Sequence, residues 1–366
     1  MVISANGNIS VIVDTGKNEE RTNPDFTKKE VGKNMHMGQV IKNIKVPTGN
    51  IMIIQGDNGL LELVSIGDYG KEKNIKADFM GLSRDIERIQ HSETLPLTEK
   101  WVIMISSQYG CSMNCKFCDV PRVGPGINAT WDDMVLQIIA GLNLHPEINY
   151  TERLNIHFAR MGEPTWNPEV LKCAEFLPDT LYPYIGDSLI HPIISTMMPK
   201  RNKDLEKFLV AWMGIKNDIY LGNAGLQLSI NSTSDKEREE MFSGNSLSLA
   251  EISEIGKRLP FPKDRKITLN FAVAGYEVDA EKLRSLFDPE KFIVKLTPMH
   301  KTRAATENDI ETEGDYTTLH PYSDIEEKLK AVGFDVLVFL ASEDEDLGRI
   351  TCGNAILSGT MPEINQ

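Results

Sequence analysis

Cysteine is scarce in this sequence, with five residues in a chain of 366. Long apolar runs are absent as well, because no stretch reaches the ~18 apolar residues that a membrane-spanning helix needs. The start of the chain, MVISANGNIS, lacks the charged and then apolar pattern of a secretory signal. These absences predict a protein of a reducing compartment, which we expect to be cytoplasmic and to have no membrane partner.

Positive charge is also in short supply. The 39 lysines and arginines are outnumbered by 53 aspartates and glutamates, and the net charge is −14. A field of that sign repels phosphate backbones unless basic residues gather on one face, so nucleic acid is not the default partner. Internal repeats are absent, and the composition (41% hydrophobic, 25% charged) excludes disorder, collagen and coiled coil. The length suits one large α/β domain with an appendage, or two modest domains.

The first part of the chain divides into a polar arm and a β-rich segment. Residues 1–30 carry few large apolar groups, which predicts a loosely held arm. Residues 39–68 contain short apolar or alternating runs broken by the turn sequence GDNG, which predicts a small β meander. With a soft boundary at Pro96, we expect residues 1–95 to form an N-terminal arm and a small β-rich domain.

Beyond Pro96, strand-like runs alternate with helix-like runs. The predicted strands are 101–106, 154–159, 192–196, 226–231, 267–274, 292–297 and 334–341. The predicted helices are 131–142, 168–176, 205–213, one opened by the capping box Ser248-x-x-Glu251, 280–287 and 324–332. Six or seven such units predict an α/β fold whose parallel sheet forms a partial (β/α)6-type barrel over residues 96–345. Residues 346–366 form a C-terminal segment, and we expect the chemistry at the carboxyl ends of the strands.

Three of the five cysteines follow the first predicted barrel strand within eight residues: Cys111, Cys115 and Cys118. Buried free cysteines are a poor explanation for three thiols on one loop at the catalytic end of a barrel. Zinc is the other alternative, but the loop offers no histidine at ligand spacing. The C-x3-C-x2-C spacing favours a [4Fe–4S] cluster in which three thiolates bind three irons and the fourth iron is open to a chelating ligand.

Polar groups follow the other strands. The turn Met161-Gly162-Glu163-Pro164 comes after the second strand, where its glycine permits close backbone approach and its carboxylate can receive an ammonium group. Further polar side chains end the third, fourth and sixth strands, namely Ser195, Ser229, Asn231 and His300. Each could be an ordinary strand-end polar residue, but all are expected on the same rim.

The cysteine loop, with Phe117 before its third cysteine, resembles that of the radical S-adenosylmethionine (SAM) superfamily. The resemblance implies that Gly162 and Glu163 hold the amino group of SAM, and that the open iron binds its amino and carboxylate groups. Further contacts to SAM are then expected from Ser195, Ser229, Asn231 and His300. An electron donor such as flavodoxin or ferredoxin is implied as a partner.

The run ISSQYGC at 105–111, the Gly-Glu-Pro turn, the Ser-Ile-Asn strand end at 229–231 and a late Cys352-Gly353-Asn354 resemble the RNA adenine methylases RlmN and Cfr over about residues 93–357. The resemblance implies that Cys352 first accepts a methyl group from one SAM, and that a radical made from a second SAM removes a hydrogen from that methyl. Glu93 resembles the proton-accepting glutamate of these methylases. An incidental thiol and an exposed carboxylate are the alternatives for these two residues.

Two departures from these methylases affect the substrate. The cysteine that resolves their protein–RNA adduct corresponds to Met104, whose sulfur cannot form a disulfide. Either such an adduct is released differently, for example by Cys173, or no adduct forms; a core position is the alternative for Cys173. Their N-terminal RNA-binding domain has no counterpart, which weakens RNA as the substrate. Local positive charge is found after the third and sixth strands, at Lys200, Arg201, Lys203, His300, Lys301 and Arg303.

The sequence therefore predicts a radical SAM enzyme, most concretely a methyltransferase acting on an unactivated carbon of RNA, protein or a small molecule through Cys352. One alternative keeps the radical chemistry but makes Cys352 a hydrogen donor or a substrate anchor. An alternative of another class is a non-catalytic regulator that binds an iron–sulfur cluster or zinc.

Overall fold

The computed structural model describes residues 2–3, 9–10, 40–86, 89, 93–312, 319 and 322–363. The chain divides into two compact units, Met1–Gly38 and Gln39–Gln366. In the first unit, β1 (Val2–Ile3) pairs antiparallel with β2 (Ile9–Ser10). Most of the predicted arm, residues 1–30, lies outside the described residues.

The predicted meander is present as three antiparallel strands. These are β3 (Val40–Val46), β4 (Gly49–Gly56) and β5 (Gly59–Ile66). One face of the meander packs its apolar side chains against the first barrel strand and the C-terminal segment, in a cluster of Val46, Ile51, Ile53, Val64, Ile66, Val102, Met104, Ile350 and Ile356. Burial of this apolar face joins the meander to the barrel.

Seven parallel strands form the centre of the second unit. They are β7 (Trp101–Met104), β10 (Leu154–Phe158), β11 (Ile190–Thr196), β12 (Gly225–Ser229), β13 (Ile267–Val273), β14 (Phe292–Pro298) and β15 (Val336–Phe339). They lie side by side in chain order, as expected for successive βα units. The predicted parallel α/β fold is confirmed.

Antiparallel strands flank the parallel ones on both sides. The meander strand β5 pairs with β7, with Val64 opposite Met104, and β6 (Ile75–Lys76) pairs with β15. The 39–68 segment therefore extends the barrel sheet. The division of the chain at residues 95 and 345 stays a prediction. A separate two-stranded pair, β8 (Gln108–Gly110) and β9 (Pro125–Asn128), flanks the cysteine loop.

Ten α-helices belong to the described second unit. They are α1 (Lys71–Asn74), α2 (Trp131–Leu142), α3 (Glu169–Ile185), α4 (Leu205–Gly214), α5 (Asp235–Met241), α6 (Leu249–Arg258), α7 (Ala280–Leu286), α8 (Arg303–Glu307), α9 (Tyr322–Ala331) and α10 (Glu343–Leu347). The capping box of Ser248 and Glu251 opens α6 as predicted. The predicted stop of α3 at residue 176 was wrong, because the helix continues through Pro178 and Pro183. No described helix has the length and apolar character to span a bilayer.

The two faces of the parallel sheet differ in chemistry. Phe158 of β10 is fully buried and meets Trp212 of α4 edge to face at 6.3 Å, so its side of the sheet packs against helices. Side chains alternate along a strand, so His157 points to the opposite side, which we call the inner face. By the same alternation and register, Ser195 and Lys295 also lie on the inner face, together with Asn155, Gln227, Ser229 and Asn270. This face is polar and partly accessible.

Candidate active site at the carboxyl ends of the strands

The cysteine loop is fixed at both of its sides. At its start, the Cys111 amide donates to the carbonyl of Gly124 at 3.1 Å. Gly110 has a φ of +82°, and a Cβ there would lie 2.1 Å from that carbonyl oxygen, so only glycine fits this close approach. In the middle, the Lys116 amide donates to the Met241 carbonyl of α5 at 2.9 Å. The loop is therefore held between β9 and α5.

The three loop thiols share an apolar environment. Cys115 packs with Met113, Met241 and Phe242, and Cys111, Cys118 and Phe117 join the edge of this cluster. Burial raises the pKa of the Cys111 thiol to about 12 and also raises the pKa values of Cys115 and Cys118. The thiols act on one another electrostatically, since Cys118 and Cys111 further raise the pKa of Cys115. Three protonated thiols in contact with apolar side chains suit an iron–sulfur cluster, whose irons replace the protons.

Across the described residues, no three His, Cys, Asp or Glu side chains converge in the arrangement that holds a metal ion. A cluster makes a different demand from a single ion, because each cysteine binds its own iron. The packing of all three thiols into one side-chain cluster is the observation that supports an iron–sulfur cluster here.

Gln108 connects the cysteine loop with the Gly-Glu-Pro turn. Its side-chain oxygen accepts from the Glu163 amide at 2.8 Å, and its Nε2 donates to the Gly126 carbonyl at 3.0 Å and to Asn128 Oδ1 at 2.8 Å. Gly162 has a φ of +102°, and a Cβ there would lie 2.7 Å from the Cβ of Gln108. The glycine of the turn is thus required by close packing. Sequence reasoning assigned no role to Gln108, although its place three residues before Cys111 was a signal.

The Glu163 carboxylate is only 2% exposed and is oriented by hydrogen bonds. Its Oε1 accepts from the Thr165 amide at 3.1 Å and hydroxyl at 2.8 Å, and its Oε2 accepts from the Met197 amide at 2.8 Å. Burial raises the pKa of Glu163, while these donors oppose the rise. Its charge also acts on the thiols of Cys111 and Cys115. A cation bound beside the cysteine loop would therefore find a preoriented, desolvated carboxylate.

The other predicted strand-end residues lie at the same end of the sheet. Ser195 is half-buried near the end of β11, and Ser229 is the buried last residue of β12. Asn231 has a φ of +59° and is committed to the protein, because its Oδ1 accepts from the Ala272 amide at 3.0 Å and its Nδ2 lies 3.4 Å from the sulfur of Met241. Asn231 thus holds β13 to the end of α5. Contact of these residues with SAM stays a prediction.

His300 follows β14 and turns toward the C-terminal segment. Its Nδ1 lies 3.0 Å from Oδ1 of Asp346 at the end of α10. The same carboxylate accepts from the Thr351 hydroxyl at 2.8 Å and from the Lys301 amide at 3.1 Å. His300 and Asp346 therefore fix the start of the segment that carries Cys352.

Cys352 is brought next to the cysteine loop. The amide of the fully buried Asp119 donates to the Gly353 carbonyl at 2.8 Å. Gly353 has a φ of +86°, and a Cβ there would lie 3.2 Å from the Phe117 carbonyl oxygen and 3.8 Å from the Cα of Cys118. Residues at opposite ends of the barrel sequence thus meet at one point. Neither Asp119 nor this contact was assigned by sequence reasoning.

The Cys352 residue is exposed at the rim of the site. Desolvation by the surrounding protein raises the pKa of the thiol, and the charges of Lys295 and Arg160 act in the opposite direction. The two cations therefore limit the rise in the pKa that desolvation of the sulfur causes.

A buried ion pair anchors the C-terminal segment to the meander. Arg160 Nε donates to Glu62 Oε1 at 2.7 Å, and both side chains are at most 1% exposed. The Glu62 carboxylate also accepts from the amides of Ile356 at 3.2 Å and Leu357 at 3.1 Å, while Arg160 donates to the Arg349 carbonyl at 2.8 Å. The pair positions the chain on both sides of Cys352. The only sequence signal was a glutamate inside the apolar run LLELV.

Three predicted residues lie apart from this site. Glu93 is paired with Lys73 at 3.1 Å, and its side chain is 80% exposed. It lies two residues before Leu95, whose amide donates to the Asp68 carbonyl after β5, so it is near the amino ends of the parallel strands. Cys173 is buried in α3, where burial raises its pKa. Met104 is buried in β7 and belongs to the meander core.

Comparison with known proteins gives relatives of one kind. The chain is 27% identical over 226 residues to a protein named probable dual-specificity RNA methyltransferase RlmN from Aquifex aeolicus, covering 57% of this chain and 59% of that protein. A protein of the same name from Phocaeicola vulgatus is 30% identical over 182 residues, covering 49% and 46%. The chain thus spans about half the length of the curated relatives it matches. The resemblance to RlmN proteins is confirmed.

A solved structure, a radical SAM methyltransferase from Sphaerobacter thermophilus, has a similar fold. It superposes with a TM-score of 0.57 over 87% of this chain and 80% of that chain, at 17% identity. This similarity confirms the fold class. No family model matches the chain.

Proposed function

We propose that this chain is a radical SAM methyltransferase that transfers a methyl group to an unactivated carbon by way of Cys352. The names of its relatives support an enzyme of this kind. The single observation that carries the proposal is the hydrogen bond between Asp119 and Gly353, at 2.8 Å, because it joins Cys352 to the loop of Cys118.

In this proposal the residues that hold the cofactors are those of the sequence prediction. Cys111, Cys115 and Cys118 would bind a [4Fe–4S] cluster, and Glu163 would accept the ammonium group of SAM. When bound, the cluster and SAM supply an electron and a 5′-deoxyadenosyl radical that can remove hydrogen from an unreactive carbon. Because burial raises the pKa values of the three thiols, assembly must release protons, and the apolar surroundings of the loop exclude water from the site.

Cys352 would first act as a nucleophile toward SAM. Its sulfur forms a bond to the methyl carbon as the sulfonium bond of SAM breaks, and S-adenosylhomocysteine leaves. The thiol proton is lost, and the positive charges of Lys295 and Arg160 favour the thiolate that this step needs. The Glu62–Arg160 pair and the His300–Asp346 contact act as positioning residues, since they fix the segment on either side of Cys352.

The substrate is proposed only as a class that offers an unactivated carbon. The names of the relatives favour RNA, and the net charge of −14 opposes it. Met104 at the position of the resolving cysteine and the buried Cys173 also oppose release through a protein disulfide. We propose a cytoplasmic protein that takes its electron from flavodoxin or ferredoxin.

The test uses the anaerobically reconstituted protein and methyl-labelled SAM, followed by mass spectrometry of the Cys352 peptide. The expected result is one labelled methyl group on Cys352, absent from Cys352→Ala and retained in Cys173→Ala. Measurement of 5′-deoxyadenosine in the same samples tests the radical chemistry separately. An unlabelled Cys352 in a protein that still cleaves SAM would overturn the methyl-carrier role.

One observation favours a second role for Cys352 within the same chemistry. Because desolvation raises the pKa of its thiol, Cys352 can retain its S–H bond at neutral pH and donate hydrogen. That role predicts SAM cleavage without methylation, and transfer of deuterium from the thiol to the product in heavy water. A regulator without catalysis predicts neither methylation nor 5′-deoxyadenosine.

A further inference from the structure

The opposite end of the barrel carries a group of cations. Four of them flank the amino ends of the parallel strands, because Lys100 precedes β7, Arg153 precedes β10, Arg265 precedes β13 and Lys71 follows the antiparallel strand β5. The fifth cation is Lys295, which lies on the inner face in the middle of β14, farther along the barrel. We call these five residues the basic group. They act on one another, since burial lowers the pKa of Lys71 and the charges of Arg153, Lys100 and Arg265 lower it further.

The basic group has more positive charge than the described residues around it neutralise. Asp68 pairs with Lys100 at 2.7 Å. The negative charge of Asp68 also raises the pKa values of Lys71, Arg153 and Lys295. The charge of Asp264 raises that of Arg265. Five cations thus face two carboxylates in a protein whose net charge is −14. Positive charge has been concentrated here against the overall composition.

Side-chain geometry directs this charge inward. Arg153 Nε donates to Oδ1 of Asn155, an inner-face residue, at 3.0 Å. The Arg265 guanidinium reaches β12, because a Cβ built on Gly225 would lie 3.1 Å from its Nη1. The Lys295 ammonium lies 5.0 Å from the ring centre of Phe339. Cations from separate strands therefore gather along the same inner face.

His157 lies in the middle of the basic group and retains an unused polar atom. Its Nε2 is buried and has no hydrogen-bond partner among the described residues. Burial lowers the pKa of His157 to about 3, and the charges of Lys295, Arg265, Lys100 and Arg153 contribute. A neutral imidazole surrounded by cations can donate or accept one hydrogen bond to a ligand.

This arrangement costs free energy in the absence of a counter-ion. Like charges on a partly desolvated face repel one another, and burial lowers the pKa values of Lys295 to about 8 and Arg265 to about 10. Such a cost is recovered when an anion binds, and a dianion suits an excess of several positive charges better than a monocarboxylate. Arginine and lysine together with a neutral histidine are a common donor set for phosphate.

We propose that the basic group binds a phosphate group of a small molecule on the inner face of the barrel, with Arg265, Lys295 and Arg153 as its charged contacts. Phosphate binding does not itself require the methyl-transfer chemistry, although Lys295 takes part in both proposals. Since Lys295 also acts on the Cys352 thiol, a ligand held there can extend toward Cys352. Such a ligand would be the substrate of the methyl transfer. That assignment, unlike phosphate binding itself, rests on the proposed function.

The test measures binding of inorganic phosphate to the full chain by calorimetry at fixed ionic strength, in the absence of SAM. We expect saturable binding that weakens at least about 10-fold in Arg265→Gln and in Lys295→Gln, since each loses a charged hydrogen bond. Lys263→Gln is the matched control, because Lys263 is exposed and pairs with Asp218 away from the inner face. Unchanged binding in both inner-face variants, or no saturable binding, would overturn the proposal.

Thermal unfolding in phosphate-free buffer separates a binding role from a structural one. Arg265→Gln relieves repulsion within the basic group, so its Tm should rise relative to the parent protein, and addition of phosphate should stabilise it less. A structural arginine predicts the reverse, a lower Tm with an unchanged phosphate response. Competition with pyrophosphate and succinate identifies the kind of oxyanion that binds. Pyrophosphate is expected to compete with phosphate. Stronger binding of succinate than of phosphate would contradict the phosphate assignment.

Discussion

The two ends of the barrel place different chemistry on one set of strands. At the carboxyl ends, three cysteines lie among apolar side chains, next to the buried Glu163 carboxylate and close-fitting glycines. At the amino ends and along the inner face next to them, five cations face two carboxylates. In our proposals, the first end loses protons and holds a cluster, and the second attracts an anion. Because side chains alternate along each strand, the inner face can carry both kinds of chemistry, while the outer face packs against the helices and stabilises the fold.

The largest expected effect follows from removing the cluster, which should abolish the chemistry at the carboxyl end and leave the amino end unchanged. Cys118→Ser should abolish the visible absorption of the reconstituted protein and lower 5′-deoxyadenosine formation by more than ~100-fold, because the cluster loses one of three thiolate ligands. Phosphate binding at the amino end should stay unchanged. Cys173→Ala is the control, since this buried cysteine lies in α3. Equal loss of phosphate binding would show that the two ends are not independent.

A second comparison concerns the anchor of the carboxyl end. Glu62→Ala leaves the buried Arg160 without its partner, which should destabilise the protein by about 3–5 kcal/mol. Glu206→Ala breaks the exposed pair with Arg258 and should destabilise the protein much less, because solvent and salt screen exposed charges. Chemical denaturation measures both. Similar values for the two variants would mean that the Glu62–Arg160 pair does not anchor the segment.

Gly353 tests the contact between Cys352 and the cysteine loop. Gly353→Ala introduces a Cβ close to the Phe117 carbonyl and the chain at Cys118, and should lower methylation of Cys352 about 10-fold while the cluster still forms. Gly359→Ala is matched to it, because Gly359 has a φ of +93° and no atom within 4 Å of the added Cβ. If both variants methylate equally, the close approach at Gly353 is not what positions Cys352.

The smallest expected effect is a pH dependence at the amino end. Burial lowers the pKa of Lys295 to about 8 in the folded chain, below the ordinary 10.5, so the unfolded chain binds more protons between these values. This lysine therefore makes stability rise with pH from about 8 to 10.5. The stability gained by Lys295→Gln over the parent protein should be largest below pH 8 and shrink toward pH 10.5. A stability difference that stays constant between pH 8 and pH 10.5 would contradict the burial of Lys295.

Much of the fold could be predicted, because local periodicity determines it. The pattern of residues 131–142 predicts a helix with the bounds that the structure has, and the strand positions agree within a few residues. The cysteine loop and the Gly-Glu-Pro turn were also visible, since their chemistry is contained in short segments. The end of α3 was missed because local rules stop a helix before Pro178, whereas packing of Leu181 and Ile185 extends it.

The remaining parts of the site depend on contacts between distant segments. Nothing local in the sequence indicates that Asp119 meets Gly353, or that Glu62 meets Arg160. Glu93 was expected near the site by resemblance, but the segment before β7 runs along the amino ends of the strands. The sequence does show a lysine, Lys295, inside the apolar run FIVKLT. Its role could not be predicted, because it depends on which face of each strand is turned inward.

The most direct test of the central claim is electron paramagnetic resonance of the anaerobically reconstituted, dithionite-reduced protein with and without SAM. We predict the signal of a reduced [4Fe–4S] cluster that changes when SAM is added, because the fourth iron is open to its amino and carboxylate groups. A reduced protein with no cluster signal, or with a signal that SAM leaves unchanged, would contradict the account.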